Sequence, residues 1–317
     1  MPIQPAKVSV VDPVNLAIEQ TKRLLFRPFD LNRWFIIGFC AWLAHLAEGG
    51  GANFNYRYGR HYHAGSFQEA LERACTYFRD NIAWLLPLII ALVVFGIALG
   101  IVLLWVSSRG KFMFLHCVAL DKAEIGEPWR QYAREGHSLF LFRLVFGLIF
   151  LVPMLPLLAV IGVAAWRMIE RGEPTLHGVL VAVAAGLAFA AIAIVGAVIM
   201  KLTTDFVVPI MFLRRNRCLE AWREFRSLFA LNVGNFIVYL LFQIVIAAAT
   251  GAIVLVVVLL TCCLAGCLLV IPYIGTVLLL PILMFKRSYS LHYLAQYGHD
   301  YTVFPPLPVP PPPPLAA

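Results

Sequence analysis

Residues 209–215 read PIMFLRR, and the same pattern returns at residues 281–287 as PILMFKR. The segments that precede long apolar stretches also match, since EPWRQY at 127–132 parallels EAWREF at 220–225. This repetition predicts a unit of one amphipathic helix, two apolar spans and a short basic exit, which enters and leaves on one side of a bilayer. The predicted fold is therefore an all-α polytopic membrane bundle with three tandem units in a single domain, residues 1–303. The three units are 14–120, 127–215 and 218–296.

Composition also indicates a membrane protein. Hydrophobic residues make up 61% of the 317 residues and charged residues only 13%, whereas soluble domains carry about 25% charged residues. A chain with this balance cannot bury its apolar surface in one water-facing core, so lipid must cover much of it. The net charge of +8 does not indicate nucleic-acid binding, because the basic residues lie in short segments that flank the apolar stretches.

About six transmembrane helices are expected. A spanning helix needs about 20 apolar residues, and five stretches meet this requirement: 82–107, 139–166, 178–200, 234–259 and 262–285. The sixth, 31–46, covers only about 24 Å; the repeat argues that it spans, and a re-entrant helix is the alternative. Six spans with a cytoplasmic amino terminus place most Lys and Arg residues inside, among them Lys111, Lys286 and Arg287. We therefore expect a cell inner membrane protein with both termini cytoplasmic.

Aromatic and basic side chains alternate along the amphipathic segments. Such pairs suit the headgroup layer, where the ring is half-buried and the guanidinium meets lipid phosphate. The candidate contacts with lipid or a partner protein are Trp34, Trp129, Arg130, Trp222, Arg223 and Arg226. Ordinary interfacial anchoring explains the same residues. The expected outer loop 47–81 carries a further amphipathic segment at 67–73, and the side of the membrane on which it lies stays open.

Polar groups within the spans are few. An ionisable side chain at the centre of a span costs about 2.5–3.5 kcal/mol on insertion scales, so each one is a functional candidate. The intramembrane candidates are Arg143, Asn235 and Gln243. Snorkelling of Arg143 to the inner surface and hydrogen bonds between helices are the structural alternatives. A cavity that contains any of the three would favour transport.

Two further pairs of ionisable residues lie at predicted span ends. Lys201 and Asp205 are four residues apart at the inner end of one span, and we expect them to pair. His45 and Glu48 lie at the outer end of the short first span. Neither pair resembles the buried acidic relay of a proton-coupled transporter. No P-loop, nucleophile elbow or zinc-protease motif occurs, so the sequence predicts neither an enzyme nor a cofactor.

Cysteine and histidine spacing predicts no metal site. Cys262, Cys263 and Cys267 lie close together at a predicted outer turn, where either a disulfide or buried free thiols would fit. His61 and His63 are a weak signal for a metal. The tail 304–317 is rich in proline and is expected to be disordered, with docking on a protein partner as the alternative.

The amphipathic segments carry a resemblance to known membrane families. AWR at 221–223, PWR at 128–130 and the hairpins and basic exits after them are similar to the membrane domain fused to some glycerophosphodiester phosphodiesterases. The opening, with VDP at 11–13 and FRPFD at 26–30, resembles an uncharacterised family of bacterial multi-pass proteins. The catalytic barrel of those phosphodiesterases has no counterpart here, so the resemblance implies no hydrolysis.

Together these features predict a non-enzymatic membrane scaffold or accessory subunit that binds membrane lipids or a protein partner, through the amphipathic helices or the tail. The alternative is a transporter or channel for a lipidic or apolar solute. A membrane-embedded enzyme is the third hypothesis, which would gain support if His45, Glu48, His61 and His63 shared one pocket.

Overall fold

The computed structural model describes residues 8–27, 29–48, 76–77, 80–171, 175–261 and 264–304, and these form helices joined by short connections. The predicted all-α class is confirmed for them. Most of the loop 47–81 and nearly all of the tail 304–317 lie outside the described residues. So do Cys262, Cys263, His61 and His63.

The helices in chain order are α1 (Asp12–Phe26), α2 (Leu31–His45), α3 (Ile82–Leu120), α4 (Gly126–Gln131), α5 (Ala133–Arg171), α6 (Leu176–Leu202), α7 (Val208–Arg214), α8 (Cys218–Leu231), α9 (Val233–Leu260), α10 (Leu264–Val270), α11 (Pro272–Leu278) and α12 (Leu280–Ala295). A π-helical turn, Thr203–Val207, joins α6 to α7 without a break. A 3₁₀ turn, Leu46–Glu48, extends α2.

Local sequence signals explain where several helices begin. Asp30 accepts a hydrogen bond from the backbone N–H of Asn32 at 2.9 Å and caps α2. Thr175 caps α6 in the same way through the N–H of Gly178. These side chains satisfy backbone donors that have no partner within the helix. In α1, Pro13 lies in the first turn, where a missing N–H costs little.

Within the described residues, four helices are long and apolar enough to cross a membrane: Ile82–Leu120, Ala133–Arg167, Leu176–Arg214 and Val233–Leu260. Helices α11 and α12 meet at 62° and would make a fifth span if they count as one broken span. The expected six spans are not confirmed. Helix α2 has 15 residues and covers only about 22 Å. The structure therefore supports a polytopic membrane protein, and the three-unit repeat stays a prediction.

Two regions of the molecule differ sharply in packing. The most apolar 18-residue windows of α3 and α5 contain no buried residue, and the shares for α6 and α9 are 6% and 17%. We call these exposed stretches the apolar arms. Phe95, for example, is 66% exposed. A continuous apolar surface of this extent is unstable in water, so lipid is its natural solvent.

The second region is a packed base formed by α1, α2, α7, α8 and α12 with the adjoining parts of α3, α5, α6 and α9. Aromatic rings fill its centre. Phe206 stacks on Phe225 with ring centroids 5.4 Å apart, and it meets Phe236 edge-on at 5.1 Å. Tyr239 and Tyr293 lie beside them, 4.6 Å apart. All five rings are almost completely buried, so the base supplies the hydrophobic core that the arms lack.

Helix α2 runs antiparallel to the second half of α3 inside the base. An ion pair joins Arg33 to Asp121 at one end, and the Ser107 hydroxyl donates a hydrogen bond to the Ala44 carbonyl at 2.8 Å near the other. Gly110 allows the close approach. A Cβ at this position would lie 2.6 Å from the backbone N of Ala44 and from the backbone C of Leu43.

Gly110→Ala is therefore expected to destabilise the protein by about 1–3 kcal/mol, because the added methyl meets backbone rather than a movable side chain. Thermal unfolding of the detergent-solubilised chain would measure the change. Gly100→Ala on the same helix is the matched control, since nothing lies within 4 Å of its Cβ position. Equal losses in the two variants would contradict the close α2–α3 contact.

Candidate functional site: a cationic cavity at the junction of arms and base

A cavity of about 470 Å³ lies where the apolar arms join the base. The end of α2 and parts of α3, α5, α6 and α12 form its wall. Its ionisable lining residues are His45, Glu48, Lys111, Arg143, Lys201, Asp205, Lys286 and Arg287. Apolar side chains, among them Phe114, Met200 and Leu283, complete the wall. Five cations and two carboxylates face it, and we therefore call it the cationic cavity.

Lys111 of α3 lies at the centre of the polar network. Its ammonium donates hydrogen bonds to Glu48 Oε1 at 2.6 Å and to Thr204 Oγ1 at 2.7 Å. Arg143 of α5 approaches the same Glu48 oxygen at 3.5 Å and also contacts the hydroxyls of Ser107 and Ser108 at 3.2 and 3.3 Å. Lys111 and Arg143 side chains are each only 5% exposed. One carboxylate thus neutralises two buried cations in part.

The π-helical turn supplies a second part of the site. Arg287 of α12 donates a hydrogen bond from Nη1 to the Thr204 carbonyl at 2.6 Å. A π turn alters the backbone hydrogen-bond pattern of a helix, and such turns are frequent at functional sites. Thr204 therefore accepts hydrogen bonds from two cations, from Lys111 on its hydroxyl and from Arg287 on its carbonyl.

The neighbouring residue Asp205 is buried, and its Oδ2 has two partners. Lys201 Nζ lies 2.9 Å from its Oδ2, which confirms the predicted pair. The Tyr239 hydroxyl donates to the same oxygen at 2.8 Å, and the Gln243 amide donates to Tyr239 at 2.8 Å. This chain of hydrogen bonds connects α6 to α9 and fixes one wall of the cationic cavity.

Glu48 lies at the opening of the cavity, where its side chain is 43% exposed. Burial by itself would raise the pKa of Glu48, but the charge and hydrogen bond of Lys111, with contributions from His45 and Arg143, lower it to about 2. Glu48 is therefore ionised at neutral pH. With His45 counted as neutral, the ionisable lining carries a net charge of +3.

One sequence-based prediction about these residues is wrong. Glu48 was expected at the outer end of a span, on the opposite side of the membrane from Lys111, yet the two form a 2.6 Å ion pair. The reason is that α2 packs beside the second half of α3 within the base. His45 and Glu48 share one cavity, as the third hypothesis required, whereas His61 and His63 lie outside the described residues.

The three intramembrane candidates have different environments. Arg143 lines the cavity and is 7% exposed, so it is enclosed rather than extended to the surface. Gln243 is buried and donates a hydrogen bond to the Tyr239 hydroxyl, which in turn donates to Asp205. Asn235 does not line the cavity, and its carbonyl accepts a hydrogen bond from the Tyr293 hydroxyl at 2.8 Å. Of the three candidates, only Arg143 therefore lines the cavity.

The three candidate tryptophans are half-buried against the base. Trp34 donates from Nε1 to the Val277 carbonyl at 3.0 Å. The Arg109 guanidinium lies against the ring of Trp129, 5.0 Å from its centroid. Trp222 packs on Phe142 and Phe225. Each ring thus has a packing role, and contact with lipid or a partner stays a prediction.

The candidate arginines Arg130, Arg223 and Arg226 are all exposed. They lie on α4 and α8, outside the cationic cavity. The apolar face of α8, including Ala221 and Phe225, is buried in the base rather than free to lie on a membrane. Contact of these exposed guanidiniums with lipid phosphate stays a prediction.

Sequence reasoning did not select Lys111, Lys286 or Arg287. Each was interpreted as an ordinary charge of an inside segment. A signal existed for two of them, because Lys286 and Arg287 end the repeated motif that also ends in Arg214 and Arg215. No pattern along the chain could pair Lys111 with Glu48, since that contact depends on how α2 folds back.

Four cysteines of the described chain are free thiols: Cys40, Cys117, Cys218 and Cys267. Cys40 and Cys117 touch across α2 and α3 with sulfurs 3.8 Å apart. Cys267 is exposed, whereas Cys218 is buried. Among the described residues, no group of three or more His, Cys, Asp or Glu side chains is arranged to hold a metal ion.

We expect a thiol-alkylating reagent at pH 7.5 to modify Cys267 more than tenfold faster than Cys218. Burial both blocks access to Cys218 and raises the pKa of its thiol to about 12, so little thiolate forms. Peptide mapping after timed alkylation would measure both sites in one sample. Comparable rates would show that α8 does not pack on the base as described.

The fold and the site define an all-helical membrane protein with a packed base, apolar arms and a cationic cavity between them. Residues 8–287 match a family described as "Family of unknown function (DUF7544)", and the chain belongs to that family. No curated protein and no solved structure matches the chain. The resemblance to an uncharacterised family is thereby confirmed.

Proposed function

We propose that the chain is a non-enzymatic membrane protein of a bacterial inner membrane that binds lipid and serves as a scaffold or accessory subunit. The observation that carries this proposal is the contrast between arms with few or no buried residues and a densely packed base. Such arms need lipid contact to be stable in the membrane. The base then presents exposed arginines and half-buried tryptophans, which suit the headgroup layer or a partner.

The positions of the first and last described residues support an arrangement with both termini on one side. At the first described residues, the carbonyl of Val10 accepts a hydrogen bond from the Tyr289 hydroxyl at 3.0 Å. At the last, Phe304 stacks on His292 with ring centroids 4.5 Å apart. Both ends therefore pack on α12 in the base. The exposed basic residues on the base favour the cytoplasmic side for it.

A non-enzymatic role is supported by the state of the two cavity carboxylates. Glu48 is paired with Lys111, and Asp205 accepts hydrogen bonds from Lys201 and Tyr239. A general base needs a carboxylate that can reach a substrate proton, and in each of these two carboxylates one oxygen already contacts a cation. The resemblance to phosphodiesterase membrane domains that the sequence predicts would fit the same role, since such a domain would serve a separate catalytic unit.

Native mass spectrometry of the full chain, extracted gently from its own membrane, tests the proposal. A protein partner retained at fixed stoichiometry, together with bound lipid, is the expected result for an accessory subunit. Wild-type protein that retains neither lipid nor partner would contradict it. The candidate partner contacts are the proline-rich tail 304–317 and the amphipathic helices. Deletion of residues 305–317 would show which of the two holds the partner, because it removes the tail and leaves the helices.

A transporter for a lipidic or apolar solute is the second candidate. Arg143 lines a cavity between the helices that continue into the arms, and this observation favours transport. A fluorescent-lipid translocation assay in proteoliposomes distinguishes the two functions. Translocation that depends on Arg143 would favour the transporter, and its absence alongside a retained partner would favour the accessory subunit.

A further inference from the structure

Among the described residues, the cationic cavity contains more positive charge than its carboxylates neutralise. Lys111, Arg143 and Arg287 are each less than one-tenth exposed. Glu48 is shared between the first two, and Asp205 already holds Lys201. Buried charges are costly unless they are paired. The surplus therefore favours a bound anion as the missing partner.

Several buried donors also lack hydrogen bonds. Arg287 uses Nη1 on the Thr204 carbonyl, but its Nε and Nη2 have no hydrogen-bond partner in the described part of the chain. The Nε of Arg143 is likewise buried and has no hydrogen-bond partner among the described residues. Buried polar atoms are almost always satisfied in native proteins. A guanidinium with two free adjacent donors matches the spacing of two oxygens on a phosphate or carboxylate.

The position and size of the cavity select the kind of anion. On α3 the side chains are exposed from residue 86 to residue 102 and mostly buried from residue 107 to residue 119, and Lys111 lies about one turn after residue 107. Charged headgroups lie at this level, just beyond the hydrocarbon region. Basic pockets between spanning helices on the cytoplasmic side are known to bind anionic lipid headgroups. A volume of about 470 Å³ exceeds that needed by one phosphate and leaves room for a headgroup.

From these observations we infer that the cationic cavity binds the phosphate group of an anionic amphiphile, with Lys111, Arg143 and Arg287 as its ligands. This inference rests on the lipid-binding function proposed above and names its site. The apolar side chains of Phe114, Met200 and Leu283 would border the glycerol or the first part of an acyl chain. Free phosphate shares the same chemistry, so the experiment must separate the two sources.

The test uses native mass spectrometry of the full chain in detergent, titrated with palmitoyl-oleoyl phosphatidylglycerol. Lys286→Glu reverses a half-buried cavity charge, and Lys122→Glu makes the same change at an exposed residue outside the cavity. We expect Lys286→Glu to weaken phosphatidylglycerol binding at least about tenfold and Lys122→Glu to leave it within about twofold. Arg287→Gln removes two free donors and should weaken binding similarly, because hydrogen bonds to charged groups are among the strongest.

Two further probes identify the source of the phosphate. Diacylglycerol with the same chains lacks the phosphate and should bind wild type and Lys286→Glu equally, through the arms. Inorganic phosphate at millimolar concentration should not displace phosphatidylglycerol if a lipid headgroup is the ligand. If inorganic phosphate displaces phosphatidylglycerol and itself binds tightly, the cavity is an anion site whose ligand is free phosphate, and the lipid assignment is overturned.

The failure of this inference differs from the failure of the proposed function. If wild type, Lys286→Glu and Lys122→Glu all bind phosphatidylglycerol equally, the cavity is not the phosphate site, although lipid binding by the arms stands. If wild type retains neither phosphatidylglycerol nor diacylglycerol, both proposals are overturned. Lys286 is half-buried, whereas Arg287 is buried, so Lys286→Glu disturbs the packing less than Arg287→Gln. The comparison of Lys286→Glu with Lys122→Glu therefore tests the inference even if Arg287→Gln does not fold.

Discussion

Phe206→Ala is expected to destabilise the protein by about 3–5 kcal/mol, the range for deleting a fully buried phenylalanine ring. Phe206 is completely buried at the centre of the base. Its ring lies 5.4 Å from Phe225, 5.1 Å from Phe236 and 4.9 Å from Tyr239. The substitution would leave a cavity that these large rings cannot fill without moving the π turn. Unfolding by sodium dodecyl sulfate, followed through helical circular dichroism, would measure the loss.

Phe95→Ala provides the matched control for this prediction. The residue type and the change are the same, but Phe95 lies on an apolar arm and is 66% exposed. In detergent or lipid its ring exchanges one apolar environment for another, so the unfolding midpoint should change little. A Phe95→Ala variant as unstable as Phe206→Ala would mean that the arms, rather than the base, hold the fold together.

Much of this architecture could be predicted from the sequence because lipid-facing helices leave a simple signal. The apolar stretches 82–107, 139–166, 178–200 and 234–259 each fall within one of the four spanning helices. Hydropathy depends only on local composition, so tertiary context does not obscure it. The stretch 31–46 is too short for hydropathy alone to identify it as a span. Its pattern suits either a span or a core helix, and the structure packs it inside the base.

The cationic cavity could be predicted only in part, for a physical reason. Arg143 was recognisable, since a charge inside an apolar stretch is costly wherever the helix lies. The Lys201–Asp205 pair was also recognisable, because residues four apart share a helix face. Lys111 and Glu48 are joined by tertiary packing of α2 on α3 alone. Neither spacing nor composition encodes such a contact, and the assumption that residues 31–46 span placed the pair on opposite sides.

Glu48→Gln is expected to destabilise the protein by about 3 kcal/mol. The change leaves the Lys111 ammonium and the Arg143 guanidinium, each only 5% exposed, without their shared carboxylate. Breaking a buried pair by removing one partner typically costs about 3–5 kcal/mol, and the 43% exposure of Glu48 places the expected loss at the lower end. Glu19→Gln, at an exposed residue of α1, is the control and should change little.

The double variant Glu48→Gln with Lys111→Met separates charge from packing. Removing the uncompensated cation should restore most of the lost stability, so the two changes should be strongly non-additive. Additive losses would show that Glu48 and Lys111 do not depend on each other.

The loss of stability in Glu48→Gln should also depend on pH. Because the pKa of Glu48 is lowered from 4.5 to about 2, its contribution is full above pH 4.5 and declines as pH falls toward 2.

An anionic lipid should reverse the defect of Glu48→Gln if the cavity binds phosphate. In wild type, Glu48 competes with the incoming anion for Lys111 and Arg143. In the variant that competition is gone while the cations remain, so phosphatidylglycerol should bind more tightly and raise the unfolding midpoint more than in wild type. Diacylglycerol should raise both midpoints equally. An identical phosphatidylglycerol response in the two proteins would mean that the anion and Glu48 do not share a site. The cations of the cavity would then be stabilised by hydration rather than by a bound anion.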